Sequence, residues 1–312
     1  MAINWFPGHM NKARKKISEA MPDIDLVIEV LDARLPFSST NPLVNELRGD
    51  KPTIKVLNKA DLADPATTNA WVSHFSEQAH TQALPLVAED RKQVKQLIAL
   101  AKKVGQGQLE KNRAVRVMIM GIPNVGKSTL INALAGRYIA RTGNEPAVTK
   151  ANQMIDLKNG IVLSDTPGIL WPRFENELSG YRLAASGAVK DTAIEYTDVA
   201  MFALDYLRTA YEKELTIRFK LKDTPENAEQ LLNTIAAKRG CLRAGGIVDL
   251  HKASEIVLHE LRAGKIGRIS METPEMIQVE SEEIERLKAE AAAAREAAAK
   301  EESRGKRHHK EE

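Results

Sequence analysis

Residues 121–129 read GIPNVGKST, which fits G-x-x-x-x-G-K-[ST]. In that pattern glycines let backbone N–H groups curl around phosphates, the lysine bridges their outer oxygens, and the hydroxyl reaches magnesium. Gly121, Gly126, Lys127 and Ser128 fill those roles, and Asn124, Val125 and Thr129 complete a loop that would hold a nucleotide. Average residue usage puts a chance match at roughly one in a hundred chains of this length. A second motif, NKAD at 58–61, follows the apolar run TIKVL at 53–57. Asp61 can accept two hydrogen bonds from the N1–H and 2-amino group of guanine, a donor pair that adenine lacks. Asn58 would brace the loop and the stem of Lys59 would cover the base. Alone, N-K-x-D is also a common polar turn after a strand.

A third motif, DTPG at 165–168, follows IVLS at 161–164. Asp-x-x-Gly is expected about once per chain by chance, so its weight comes from position. One strand beyond the phosphate loop, Asp165 could hold magnesium through water and Gly168 could offer its N–H to a γ-phosphate. Between the two lies PAVTK at 146–150, where Thr149 is the candidate magnesium-coordinating switch threonine. The guanine reader therefore precedes the phosphate loop, the reverse of the usual order in GTPases.

With NWFPGHMNKA at 4–13 and DLVIEVLDARLP at 25–36, these motifs resemble the ribosome biogenesis GTPase A (YlqF-type) family of circularly permuted GTPases. The resemblance spans roughly residues 1–275 and includes RGCLRAGGIVDLHKASEIVLHELRAGKIGRI at 239–269. It implies a GTPase with GTP as substrate and Mg2+ as cofactor, stimulated by the ribosome, that joins the assembling large (50S) subunit with GTP and leaves after hydrolysis. Many GTPases position the attacking water with a glutamine just after D-x-x-G. Here Ile169 stands in that place, and the resemblance points to His9 as the catalytic replacement. A lone histidine near a terminus is otherwise an exposed bystander. Asn124 carries a further implication, that K+ sits against the phosphates and supplies charge during phosphoryl transfer; the alternative is that it only shapes the turn.

Positioning these residues requires an α/β fold. The reading is a circularly permuted phosphate-loop GTPase domain over 1–175, with a mostly parallel sheet and helices on both faces. A small all-α domain over 176–275 and a charged tail over 276–312, helical or disordered, complete the chain. Strands are expected near 25–31, 53–57, 84–88, 115–120 and 161–164. Helices are expected near 11–20, 66–79, 91–103, 129–136, 177–186, 191–210, 225–238 and 249–262. VRVMIM at 115–120 and TLINALAG at 129–136 frame the phosphate loop as strand and helix. Residues 105–113, GQGQLEKNR, read as a polar connector where the ends of an unpermuted domain would be joined. Val87, Ala88 and Glu89 stand where a backbone N–H would read guanine O6, without the usual Ser-Ala-Lys.

The resemblance implies that the helical domain contacts rRNA, and Lys238, Arg239, Arg243, Lys252, Arg262, Lys265 and Arg268 supply cations suited to phosphate. A solvated helix face would look similar. The tail ending RGKRHHKEE reads as solubilising. The composition, 43% hydrophobic and 28% charged with net charge +3 over 312 residues, is that of a globular protein too mildly basic to demonstrate nucleic-acid binding by itself. No run of 18 apolar residues suggests a membrane span, and the motif beginning at Asn4 leaves no room for a transit segment. Expectations are therefore a cytoplasmic monomer without membrane or DNA partners. A single cysteine, Cys241, excludes an intramolecular disulfide and a cysteine-rich zinc site. Two other function classes stay open: a GTP-binding scaffold with little hydrolysis, and a GTP-dependent metabolic phosphotransferase.

Overall fold

Runs of β-branched and aliphatic residues at LVIEVLD, TIKVLN and VRVMIM are short and buried, the pattern of strands in a sheet covered on both faces. The computed structural model of the chain describes residues 7–139, 153–165, 176–189 and 195–308. Its first part runs α1 (Pro7–Ala20), β1 (Leu26–Asp32), α2 (Pro42–Arg48), β2 (Thr53–Asn58), α3 (Pro65–Ser76), β3 (Thr81–Leu86), α4 (Arg91–Val104), α5 (Gln106–Leu109) and β4 (Val115–Met120). There follow α6 (Lys127–Ala135), β5 (Gln153–Asp156), β6 (Ile161–Asp165), α7 (Glu177–Ser186), α8 (Tyr196–Ala210) and α9 (Glu212–Phe219). The described chain ends with α10 (Ala228–Arg239), α11 (Leu250–Arg262) and α12 (Pro274–His308).

The strands form one sheet in the order β3-β2-β1-β4-β6-β5, parallel throughout except for β5. Successive side chains of a strand point to opposite faces. On β4, Val117 and Ile119 join one buried cluster, while Met118 and Met120 join another with Ile17 of α1 and Val44 of α2. The first cluster takes in Val94, Leu97 and Ala101 of α4 and Leu130 and Ile131 of α6, so helices cover both faces as expected. It continues through Leu183, Leu204, Leu232 and Val257 of the later helices. There the buried Glu260 carboxylate accepts from Arg218 at 2.7 Å and Arg239 at 2.9 Å, joining α9, α10 and α11.

Residues 1–272 form one compact unit and 273–312 a second. The boundary expected at residue 175 lies outside the described residues. Within the first unit, the buried Trp71 indole donates from Nε1 to the Glu272 carbonyl at 3.1 Å. The Glu272 carboxylate accepts from the Phe37 and Ser38 N–H groups and the Ser38 hydroxyl, fixing the loop after β1. Within the second unit α12 is a single helix, with neighbouring charges paired as in Arg286–Glu283 and Lys288–Glu285. Among the described residues no helix is long and apolar enough to cross a membrane.

Several expected boundaries shift. The strand expected at 84–88 begins at Thr81, because it pairs with β2 in register from Thr81↔Thr53 to Leu86↔Asn58. Val87 and Ala88 leave the ladder, their N–H groups donating to Gln93 and Asn58 side chains. The 105–113 connector contains the short α5 rather than only coil. The helices α2 and α9 and the antiparallel edge strand β5 had no counterpart in the pattern reading. Residues 191–194 of the helix expected over 191–210 lie outside the described residues.

Candidate functional site

In an open α/β sheet, ligands bind beyond the carboxyl ends of the strands where the strand order reverses. Here β1, β2 and β3 progress to one edge and the chain then returns to place β4 on the other side of β1, making that point β1/β4. Asp32, Asn58 and Leu86 stand in one register row at the carboxyl ends of the first three strands. On β4, Met120 pairs with Glu29, so the phosphate loop departs three positions before the end of β1 and can bend back across it.

The phosphate loop and the guanine motif meet there. Asn58 Nδ2 donates to the Val125 carbonyl at 2.8 Å, and its Oδ1 accepts from Ala88 N–H at 3.1 Å. One buried amide thus braces the phosphate loop, β2 and the loop after β3. Gly126 has φ of 91°, and a Cβ there would stand 2.2 Å from Asn58 Nδ2, so glycine is required by both backbone and space. Lys127 and Ser128 begin α6, and the N-terminus of a helix is suited to phosphate. Asp61 is exposed, as a base-reading carboxylate must be.

Two side chains unassigned by the pattern reading complete the site. Arg34 grips Asp32 with Nε at 2.9 Å and Nη2 at 2.7 Å, and both are buried. Lys59 donates to the same carboxylate at 2.9 Å and to the Asn124 carbonyl at 2.6 Å. Burial pushes the Asp32 carboxyl upward, but the charges and hydrogen bonds of Arg34 and Lys59 outweigh it and hold it well below the usual range. Lys59 and Asn124 both have positive φ, 60° and 64°, a strained conformation for side-chain-bearing residues that concentrates at functional sites. Asn124 Nδ2 also donates to the Gly187 carbonyl at 2.9 Å, and Arg34 reaches the carbonyls of Ser186 and Arg262 at 3.3 and 3.4 Å. The signal for Asp32 and Arg34 was available in DAR, two opposite charges at the end of a predominantly apolar strand.

Ala88 N–H donates to Asn58 and Val87 N–H to Gln93, so neither of these two is open to a guanine O6. Five of the seven cations expected to seek phosphate make internal contacts: Lys238 with the Lys220 carbonyl, Arg239 with Glu260, Arg243 with Asp249, Arg262 with the Ala184 and Ala185 carbonyls, and Arg268 with those of Ala60 and Ala63. Asp165 closes β6 opposite Ile119 of β4, one strand from the phosphate loop. His9 lies on α1. The side chains of His9 and Asp165, and Thr149 and Gly168 altogether, lie outside the described residues. A serine hydroxyl and a carboxylate at the ends of adjacent elements are hard oxygen donors, the set that Mg2+ prefers, so Ser128 and Asp165 fit that ion.

A chain of 45% identity aligns over 92% of this chain and 99% of its own length, the ribosome biogenesis GTPase A of Bacillus cereus. The chain belongs to the ribosome biogenesis GTPase A family. The Priestia megaterium member is 46% identical over 88% of this chain and 98% of its own. A crystal structure of GNP-bound YlqF from Thermotoga maritima superposes with a TM-score of 0.60 at 31% identity, covering 85% of this chain and 99% of that one. A family model described as 50S ribosome-binding GTPase matches residues 116–239, and one described as RsgA GTPase matches 43–175. The enzyme is a circularly permuted GTPase that hydrolyses GTP to GDP and phosphate, which decides among the three classes left open by sequence.

Proposed function

We propose that this ribosome biogenesis GTPase A family member binds the maturing large ribosomal subunit in its GTP state and is released after hydrolysis. The observation carrying the reading is the near full-length likeness to ribosome biogenesis GTPase A, joined to a guanine reader and phosphate loop tied together by Asn58 and Lys59. Asp61 receives the base, with the stem of Lys59 over it and Asn58 bracing the loop. Asn124, Val125, Gly126, Lys127, Ser128 and Thr129 receive the phosphates, with Gly168 on the γ-phosphate. Ser128, Thr149 and Asp165 hold Mg2+, which neutralises charge on the transferring phosphoryl group. His9 orients the attacking water in place of the glutamine that Ile169 replaces.

With its amide nitrogen donated to Gly187, Asn124 keeps Oδ1 for K+. The GTPase portion extends to residue 175, the helical portion over 176–275 contacts rRNA, and the tail from 276 adds charge. The protein acts as a cytoplasmic monomer on RNA rather than DNA, and the ribosome stimulates turnover. Co-sedimentation with separated ribosomal subunits and precursors, in a GTP analogue, GDP and no nucleotide, tests the reading. Binding to large subunits only with the analogue is expected; equal binding in all three states refutes it.

A further inference from the structure

The turn that carries Asp61 is held by a segment about two hundred positions away. After α11, residues 263–272 run along the guanine-reading loop. Arg268 donates from Nη2 to the Ala60 carbonyl at 2.8 Å and from Nε to the Ala63 carbonyl at 2.9 Å. Ile269 N–H donates to the Leu62 carbonyl at 2.9 Å, and Ser270 Oγ accepts from Asp64 N–H at 3.2 Å. Every residue of 60–64 except Asp61 itself is therefore hydrogen-bonded through its backbone to this strap. Its approach is close: a Cβ at Gly264 would stand 2.7 Å from Leu62 Cδ2.

The strap is fixed at its other side by the helical portion. Tyr206 donates its hydroxyl proton to the Ser270 carbonyl at 3.0 Å, and Ser270 N–H donates to the Tyr211 oxygen at 3.0 Å. Met271 N–H donates to the Arg34 carbonyl at 2.7 Å, next to the pair that Asp32 shares with Lys59. Short loops hold a functional carboxylate by satisfying their own carbonyls locally. This one delegates three of them to the strap, so the aim of Asp61 depends on where the strap lies.

We propose that Arg268 is a positioning residue for guanine recognition, holding the 60–64 turn so that Asp61 meets the N1–H and 2-amino edge of the base. The inference rests on the proposed role of Asp61. It makes base selection a property of the helical portion as well as of the NKAD motif. Linkage also requires that anything displacing the strap lower the affinity for guanine, and that guanine binding resist the displacement to the same degree.

The test uses the full chain with Arg268→Ala, and Ser270→Ala as a milder second variant, titrated with GTP and with ITP, which lacks the 2-amino group. A hydrogen bond to a charged acceptor makes the wild-type preference for GTP over ITP roughly ten-fold or more. Arg268→Ala should shrink that preference at least about three-fold, because a displaced Asp61 loses two bonds to guanine but one to hypoxanthine. The loss should fall on KM, with kcat at saturating GTP held within about two-fold. An unchanged GTP-to-ITP ratio in both variants, or an equal loss for both nucleotides, overturns the proposal. Asp61→Asn run in parallel separates the two layers: it should exchange the preference for GTP with one for XTP. If it does not, the assignment of Asp61 fails; if it does while Arg268→Ala keeps the wild-type ratio, the strap proposal alone fails.

Discussion

Lys59 Nζ lies 2.6 Å from the Asn124 carbonyl, so a cation from the guanine-reading motif neutralises and anchors the bend of the phosphate loop. Its second bond, 2.9 Å to Asp32, fixes the direction of the stem. Lys59→Met keeps the apolar stem that would lie over the base and removes both bonds. Hydrogen bonds involving a charged group contribute about 1.5–3 kcal/mol, so GTP affinity should fall roughly ten-fold or more. Equilibrium titration with a fluorescent GTP analogue measures this, and wild-type affinity would count against the anchoring role.

Asn58→Ala removes an amide that satisfies two backbone groups at once, the Val125 carbonyl and the Ala88 N–H. Each group left buried and unpaired costs about 1–3 kcal/mol, so nucleotide-free stability should drop by roughly 2 kcal/mol or more. Urea denaturation without nucleotide reads that loss apart from any effect on binding.

Asp32 ties stability to acidity. Its carboxyl, ordinarily near 3.8, is held lower in the folded state by Arg34 and Lys59 against the opposing effect of burial. A folded pKa below the unfolded value means that the contribution is complete above about pH 4 and drains away as pH falls through the folded value. Glu272 has the opposite sign, since burial raises its carboxyl, and its contribution is present at low pH and lost as pH rises. Asp32→Asn should therefore flatten the acid limb of the stability curve relative to wild type. It should also lose about 3–5 kcal/mol at neutral pH, because a buried pair is broken with Arg34 left behind. Denaturation midpoints between pH 3 and pH 7, a range that brackets ordinary carboxylate titration, supply the comparison.

How much of this was legible beforehand follows from what kind of contact each residue makes. The phosphate loop, NKAD and the strands preceding them could be read because glycine spacing and apolar runs are local properties; β4 over Val115–Met120 coincides with the expected strand. Asp32 and Arg34 carry no recognisable role in the sequence, since the partners that define them, Lys59 and the Ser186 carbonyl, are distant along the chain. Arg268 was grouped with RNA-seeking cations because charge is visible in a sequence, whereas the two carbonyls that occupy it are not. The short β5 was missed because Gln153–Asp156 has too few residues to establish a period.

His9→Ala should lower GTP hydrolysis by roughly 100-fold or more while GTP affinity stays near wild type, the signature of a group that acts on the attacking water. Single-turnover hydrolysis with and without large subunits distinguishes the cases. Unchanged ribosome-stimulated turnover would remove His9 from the mechanism.

Exchange of K+ for Na+ at constant ionic strength should slow hydrolysis in the wild-type protein and have little effect in Asn124→Ala. A fixed cation aimed at developing charge is worth about 10–1000-fold in such sites, well within the range of a phosphate-release assay. Equal rates in the two salts would leave Asn124 as a turn residue tied to Gly187.

The hydrogen bond from the Trp71 indole to the Glu272 carbonyl places a chromophore at the end of the strap, with the ring 1% exposed and stacked on Phe75 at 5.2 Å between centroids. Trp5 and Trp171 are the other two indoles of the chain. Once both are exchanged for phenylalanine, emission colour becomes a local ruler: blue while the 263–272 segment is seated, red when water reaches the ring. The protein thus carries its own dye at the seam where base recognition meets the helical portion, and departures of that seam can be followed in real time without a label.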